Sequence, residues 1–190
     1  MRLIEKRAEG KVVQADAGKI IGYAAVYGPL SEDLGGFRER IDQRAFSKTL
    51  EDTAADVRAF VDHDYSKVLG RRSVGTLQLS TDEQGLRVEI TPPDTSYAND
   101  LRKLLERGDV SQMSFGFLVR PGGESWGADD QGKIRTLTDV ELIEVSVVTI
   151  PAYPDTSAAI RSLAIHEQEF RKRRLQLLKL RYRELQKLRS

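Results

Sequence analysis

The chain has 190 residues, 39% apolar and 31% charged, a formal net charge of +1, two histidines and no cysteine. That is enough for one domain with a real core plus an appendage, and it excludes disulfides, thiolate nucleophiles and thiolate zinc sites. Neither the charge balance nor any apolar run of about 18 residues points to nucleic acid or a membrane, and the charged start Met1–Arg7 lacks a signal-peptide core, so a soluble, non-secreted chain is expected.

Ile20 to Tyr27, with the small residues Gly22, Ala24 and Ala25, predicts a buried strand that permits close backbone approach. A Gly/Pro loop follows from Gly28 to Gly36, and Phe37 to Ile41 alternates with period two, as a half-buried strand does. Asp42 is placed to cap a short helix through Leu50, with Ala45, Phe46 and Leu50 inward. From Asp56 to His63, Val57, Ala59 and Val61 alternate with Arg58, Phe60 and Asp62, which puts His63 at or just past a strand end. Val74 to Leu79 and Leu86 to Ile90 predict a hairpin around Asp82-Glu83-Gln84-Gly85, ended by Pro92 and Pro93. Thr95 or Ser96 then caps a helix to about Arg107, with Leu101, Leu104 and Leu105 on one face and Gly108 as its stop.

Val110 to Val119 reads as a strand, Pro121 to Gly132 as a Gly-rich polar loop holding Trp126, and Lys133 to Ile150 as one or two further strands. Pro151-Ala152-Tyr153-Pro154 closes the sheet and Ser157 opens a helical segment. The expected fold class is α+β: a bent sheet or closed β-barrel of about six to eight mostly antiparallel strands, flanked by two or three helices. Residues 1–161 form the domain and residues 162–190 a basic, amphipathic C-terminal helical tail. His166 to Ser190 holds nine Lys/Arg against three Asp/Glu, a net +6 on a body of −5. Leu175, Leu178, Tyr182 and Leu185 give that tail an apolar stripe, too short to stand as an isolated coiled coil and suited to docking on a partner.

The body contains one histidine, His63, between Asp62 and Asp64. Histidine is the side chain whose ordinary pKa falls near neutrality, so the groups able to face it matter. Ser114 lies among apolar neighbours, sharing a strand face with Gly116, which leaves room for a substrate backbone to lie alongside. Glu144 sits in an apolar strand beside Leu142, Ile143, Val145 and Val147, and a buried carboxylate needs a donor or a cation. Ser146, on Glu144's face, and Ser111, at a strand entrance, are alternative hydroxyls. Each residue also has a plainer reading: a strand serine satisfied by backbone, a histidine solvated in a surface turn, a salt bridge from Glu144 to an arginine. In the chemical reading of the histidine, Asp62 or Asp64 raises its pKa by favouring the charged form. A metal-dependent hydrolase, with Asp62, His63, Asp64 and Glu144 as ligands, is the third possibility. A serine, a histidine and an acid on separate elements suggest a hydrolase.

In this order, the segments Gly22-Tyr23-Ala24-Ala25-Val26-Tyr27, Gly36-Phe37 to Ala45-Phe46, Asp62-His63-Asp64, Leu69-Gly70-Arg71 and Gly75-Thr76-Leu77 form a recognisable series. It continues with Asp94-Thr95-Ser96-Tyr97, Gly108-Asp109-Val110-Ser111, Ser114-Phe115-Gly116-Phe117, Leu142 to Val148 and Pro151-Ala152-Tyr153-Pro154-Asp155-Thr156. From Ile20 to Arg161 the chain resembles the tailed-phage prohead (capsid maturation) serine proteases, related in fold to the herpesvirus assemblin-type proteases. The resemblance implies a serine endopeptidase with Ser114 as nucleophile and His63 as general base. Assemblin-type enzymes use a second histidine as third member; the body has none, and Glu144 fits the acid position of the phage branch. It implies cleavage of scaffold, of the scaffold-like region of the coat protein, and of the protease itself, inside the immature prohead in the host cytoplasm. It further implies a homo-oligomer, dimer or higher, with no cofactor, metal, nucleic acid or membrane. Backbone N–H groups near Arg71 or at Gly122-Gly123 are candidates for an oxyanion hole. The alternative function is a non-enzymatic capsid assembly protein on the same fold.

Overall fold

The computed structural model describes residues 4–15 and 18–150 and, towards the C-terminus, residues 164, 167–168, 170–179 and 181. In chain order the elements are β1 (Glu5–Ala15), β2 (Ile20–Val26), β3 (Phe37–Ile41), α1 (Ser47–Glu51), β4 (Arg58–Val61), β5 (Asp64–Arg71), a 3₁₀ turn (Arg72–Val74), β6 (Leu77–Thr81), β7 (Gly85–Ile90), α2 (Ser96–Arg107), β8 (Gln112–Val119), β9 (Glu124–Asp129), β10 (Gly132–Leu137) and β11 (Val140–Val148). Eight strands form one sheet in the order β5-β4-β11-β8-β1-β2-β7-β6, and the other three form a second sheet, β3-β10-β9. All neighbours are antiparallel except β4 with β11 and β3 with β10.

The large sheet curls until its edges nearly meet. β5 and β6 are those edges, yet only the 3₁₀ turn separates them in the chain. The Arg71 N–H donates to Thr76 Oγ1 at 2.9 Å, and a Cβ on Gly70 would stand 2.6 Å from the Thr76 carbonyl oxygen, so glycine permits the approach. Inward residues of β2, β4, β7, β8 and β11 share one core with Ala98, Leu101 and Leu105 of α2. Tyr97 ties that helix to β5 by donating to the Val68 carbonyl at 2.8 Å. This is the expected α+β, strand-rich barrel.

The small sheet is joined to the large one by buried ions. Arg7 of β1 donates through Nε to Glu39 of β3 at 2.7 Å, and Arg135 of β10 donates to Glu5 of β1 at 2.7 Å and to Glu39 at 2.9 Å. Glu5, Arg7, Glu39 and Arg135 are all buried, which such charges tolerate only when fully paired. The Arg7 guanidinium also lies over the Phe117 ring.

Several boundaries differ from the sequence reading. The helix after Asp42 begins only at Ser47, because the Asp42 carboxylate accepts from the Arg44 N–H at 2.9 Å and makes a turn there. β6 starts at Leu77 rather than Val74, behind a turn closed by Gly75 at φ 77°. Thr95 occupies the N-cap of α2, yet its hydroxyl makes no capping bond; the stop at Gly108, φ 83°, is as expected. The segment read as a polar loop from Pro121 to Gly132 contains β9, whose Trp126 packs edge-on against Phe37 at 5.0 Å. Residues 170–179 are helical, with Phe170, Leu175, Leu177 and Leu178 exposed, and Lys133 pairs with Glu167. The expected features at Pro151 to Pro154, Ser157, Arg161, His166, Tyr182 and Leu185 lie outside the described residues. No described helix is long and apolar enough to cross a membrane.

Candidate active site

Regular alternation along β8 sends Met113, Phe115 and Phe117 into the core and Ser114 and Gly116 to the other face. Across the ladder, Ser114 pairs with Ser146 and Gly116 with Glu144. An unbroken β11 would put Leu142 on the same face as Glu144. Instead the register shifts between them, leaving Ile143 unpaired, so Leu142 joins the core and Glu144 turns to the Ser114 face. This is what a β-bulge does. On the next strand, Phe60 of β4 lies opposite Ser146 and packs edge-on against exposed Tyr65 at 5.0 Å.

His63 reaches this face from a tight hairpin. Val61 pairs with Asp64, so Asp62 and His63 alone make the turn, with φ of 49° and 58°. Two consecutive left-handed residues match the twist of the flanking strands, and aspartate and histidine are among the non-glycine residues found most often in that backbone. The Asp62 N–H donates to the Val147 carbonyl at 2.9 Å. The Thr149 N–H and hydroxyl in turn donate to Asp62 Oδ1 at 2.7 and 3.0 Å. The turn is thus clipped to the end of β11.

That clip sets the imidazole over Glu144. His63 Nδ1 is 2.6 Å from Glu144 Oε1, and the Ser146 hydroxyl donates to Glu144 Oε2 at 2.6 Å. A carboxylate accepting at both oxygens assigns the ring proton to Nδ1, which leaves Nε2 as an acceptor. The His63 side chain is 8% exposed and that of Glu144 1%. His63 Nε2 and Ser114 Oγ are both buried and without a hydrogen-bond partner, hence not bonded to each other. Buried polar atoms are rarely left so. Chemically, the site holds an oriented base with a free lone pair and, on the same face, an uncommitted hydroxyl.

Several expectations change. Gly116 does not leave space for a substrate: a Cβ there would stand 2.5 Å from Glu144 Oε1, so the carboxylate fills that room. Glu144 is bonded to histidine and serine rather than to an arginine. Asp62 and Asp64 are bonded elsewhere, Asp62 accepting from Thr149 and Asp64 from the Ser66 N–H and hydroxyl, at 2.9 and 2.6 Å. The ligand set of the metal alternative is therefore not assembled, and among the described residues no three His, Asp or Glu side chains converge to hold a metal. Of the candidate oxyanion donors, the Arg71 N–H is committed to Thr76 Oγ1 and the Gly123 N–H to the Arg120 carbonyl. Ser111 is exposed just ahead of β8. The supporting part of Asp62 went unread in the sequence, because it depends on where the end of β11 meets the turn.

The sequence model of the family described as Caudovirus prohead serine protease matches residues 4–170. No curated protein matches. Among solved structures, the chain is similar to the bacteriophage T4 capsid assembly protease, with a TM-score of 0.49 and 11% identity, over 76% of this chain and 96% of that one. The chain belongs to the caudovirus prohead serine protease family.

Proposed function

We propose that the protein is a capsid-maturation endopeptidase in which Ser114 is the nucleophile, His63 the general base and Glu144 the acid that orients it. The observation that carries this reading is the His63–Glu144 bond with its 2.6 Å length, set beside a Ser114 hydroxyl that is buried, unpartnered and on the same face. When a substrate strand binds, Ser114 rotates to meet Nε2; such bonds are often open in free enzymes. Nε2 takes the Ser114 proton as Oγ adds to the scissile carbonyl, and Glu144 stabilises the imidazolium. The imidazolium then protonates the leaving amine, and water releases the acyl group by the same route.

The substrates of this reading are scaffold, the scaffold-like region of the coat protein and the protease's own chain, inside the immature prohead in the host cytoplasm. Residues 1–161 are the protease domain. Residues 162–190 are a docking tail, with exposed Leu175 and Leu178 as its apolar contacts. Confinement in a shell supplies effective concentration without high intrinsic affinity, and the enzyme works as a homo-oligomer. Co-expression of wild-type or Ser114→Ala protein with coat and scaffold tests the assignment. Cleaved bands with the wild type alone are expected; identical band patterns favour the non-enzymatic assembly protein. Mass spectrometry of active enzyme after prolonged incubation tests self-processing, and an intact C-terminus overturns it.

A further inference from the structure

We infer that Ser146 is a positioning residue for peptide hydrolysis, acting by locking the carboxylate on which His63 turns. This rests on the assignment of Ser114, His63 and Glu144 just proposed. Ser146 stands between Val145 and Val147 in the most buried stretch of β11 and is itself fully buried. Valine would suit a central strand better, and a buried hydroxyl is tolerated only when bonded. Its one bond goes to Glu144 Oε2, the oxygen that His63 does not use.

Without that bond, a carboxylate held only by His63 could turn about its terminal torsion, which is broad for glutamate. Ser146 and Glu144 are two residues apart on one strand, so the lock belongs to β11 itself and does not depend on the hairpin that delivers His63. Gly116 closes the other side of Oε1. The carboxylate is thereby fixed at both oxygens. The same geometry argues against Ser146 as the nucleophile. Its proton is directed at Glu144, whereas the lone pair able to accept a serine proton, on Nε2, lies across the ring from Glu144.

A hydrogen bond to a carboxylate disperses its charge. Removing the hydroxyl therefore concentrates that charge and makes Glu144 a stronger attractor for the His63 Nδ1 proton. The probe is an alkyl fluorophosphonate, whose second-order rate of serine phosphonylation reads nucleophile activation without any knowledge of the natural substrate. It is measured from about pH 5 to about pH 9, the range that brackets histidine titration, on wild-type, Ser146→Ala, Glu144→Gln and Ser114→Ala protein, with thermal unfolding recorded for each. Ser146→Ala is expected to label about 10-fold to 100-fold more slowly, the range for losing a hydrogen bond to a charged group, with its acid limb moved to higher pH. An unchanged rate, or a slower rate with an unmoved acid limb, overturns the inference and leaves Ser146 a packing residue. Peptide mapping of the labelled wild type separates the two levels. Label on Ser114 upholds the parent assignment whatever Ser146→Ala does, whereas label on Ser146 overturns both.

Discussion

Gly116 lies directly under the Glu144 carboxylate: a Cβ at residue 116 would stand 2.5 Å from Oε1 and 3.1 Å from Cδ. Because Oε1 is also the oxygen bonded to His63, one methyl group on β8 would displace the contact that orients the imidazole. Gly116→Ala is expected to lower scaffold cleavage about 10²-fold, the size of loss that a 1 Å misplacement produces, while costing only about 2 kcal/mol of stability. Cleavage rate and chemical unfolding measured together check this; full activity in a folded variant would show that the carboxylate has somewhere else to sit.

Loss of the members of the proposed constellation should be unequal. Ser114→Ala and His63→Ala each remove nearly all catalysis, about 10⁶-fold, whereas Glu144→Gln costs less, about 10⁴-fold, and combinations add little because the groups act as a unit. Single-turnover cleavage of purified scaffold by the single and double variants reads the difference. Strictly multiplicative losses would mean that the three residues do not cooperate.

Asp62 acts by an oxygen rather than by a charge. Its Oδ1 accepts from both the N–H and the hydroxyl of Thr149. Asp62→Asn keeps an acceptor oxygen and is expected to stay within about threefold of wild type. Asp62→Ala loses both bonds from Thr149, frees the turn from the end of β11 and is expected to cost at least about tenfold, the low end for hydrogen bonds to a charged group. Fluorophosphonate labelling rates decide; equal loss in both variants would restore a role for the negative charge.

Acid stability follows from the ion cluster between the sheets. Burial pushes the Glu5 carboxyl up, but hydrogen bonds and charge from Arg135 and Arg7 outweigh it and hold the group below its ordinary value. A carboxylate lowered in the fold contributes stability that is complete above its unfolded pKa, about 4.3, and lost as pH falls through the folded value. The melting temperature of the wild type should therefore decline below about pH 4. Glu5→Gln should be about 3 kcal/mol less stable at neutral pH, from the broken buried pairs, and should decline less steeply in acid. Calorimetric scans across the pH range give both slopes, and parallel curves would remove Glu5 from the account.

His63 and Glu144 were legible in the sequence because each breaks a pattern: a histidine where a strand's alternation stops, an acid inside an apolar run. Their mutual placement was less so. Strict alternation puts Leu142 on Glu144's face, and only the unpaired Ile143 separates them. β1 escaped notice because Glu5 and Arg7 are buried as partners, and ionic burial leaves no apolar periodicity to read. β9 escaped for the opposite reason: most of its residues are exposed, so neither face reads as apolar. The alternation read one residue too far, through Asp62, and the two-residue form of the turn stayed hidden, since a left-handed pair without glycine or asparagine carries no usual turn signal. The apparent space beside Ser114 was real as an absence of side chain on Gly116, but its occupant comes from a strand almost thirty positions away, at Glu144.

The parallel seam between β4 and β11 has a temporal consequence. It joins Arg58 to Glu144 and Val61 to Val147, stretches of polypeptide that a ribosome releases far apart in time. Loop closure over such spans is slow, and its entropy must be met before the contacts form. Until β11 zips between β4 and β8, Glu144 has no imidazole to hold. If His63 and Glu144 act as proposed, a half-made or half-folded copy lacks the oriented imidazole, and hydrolytic capacity arrives only once β11 has docked.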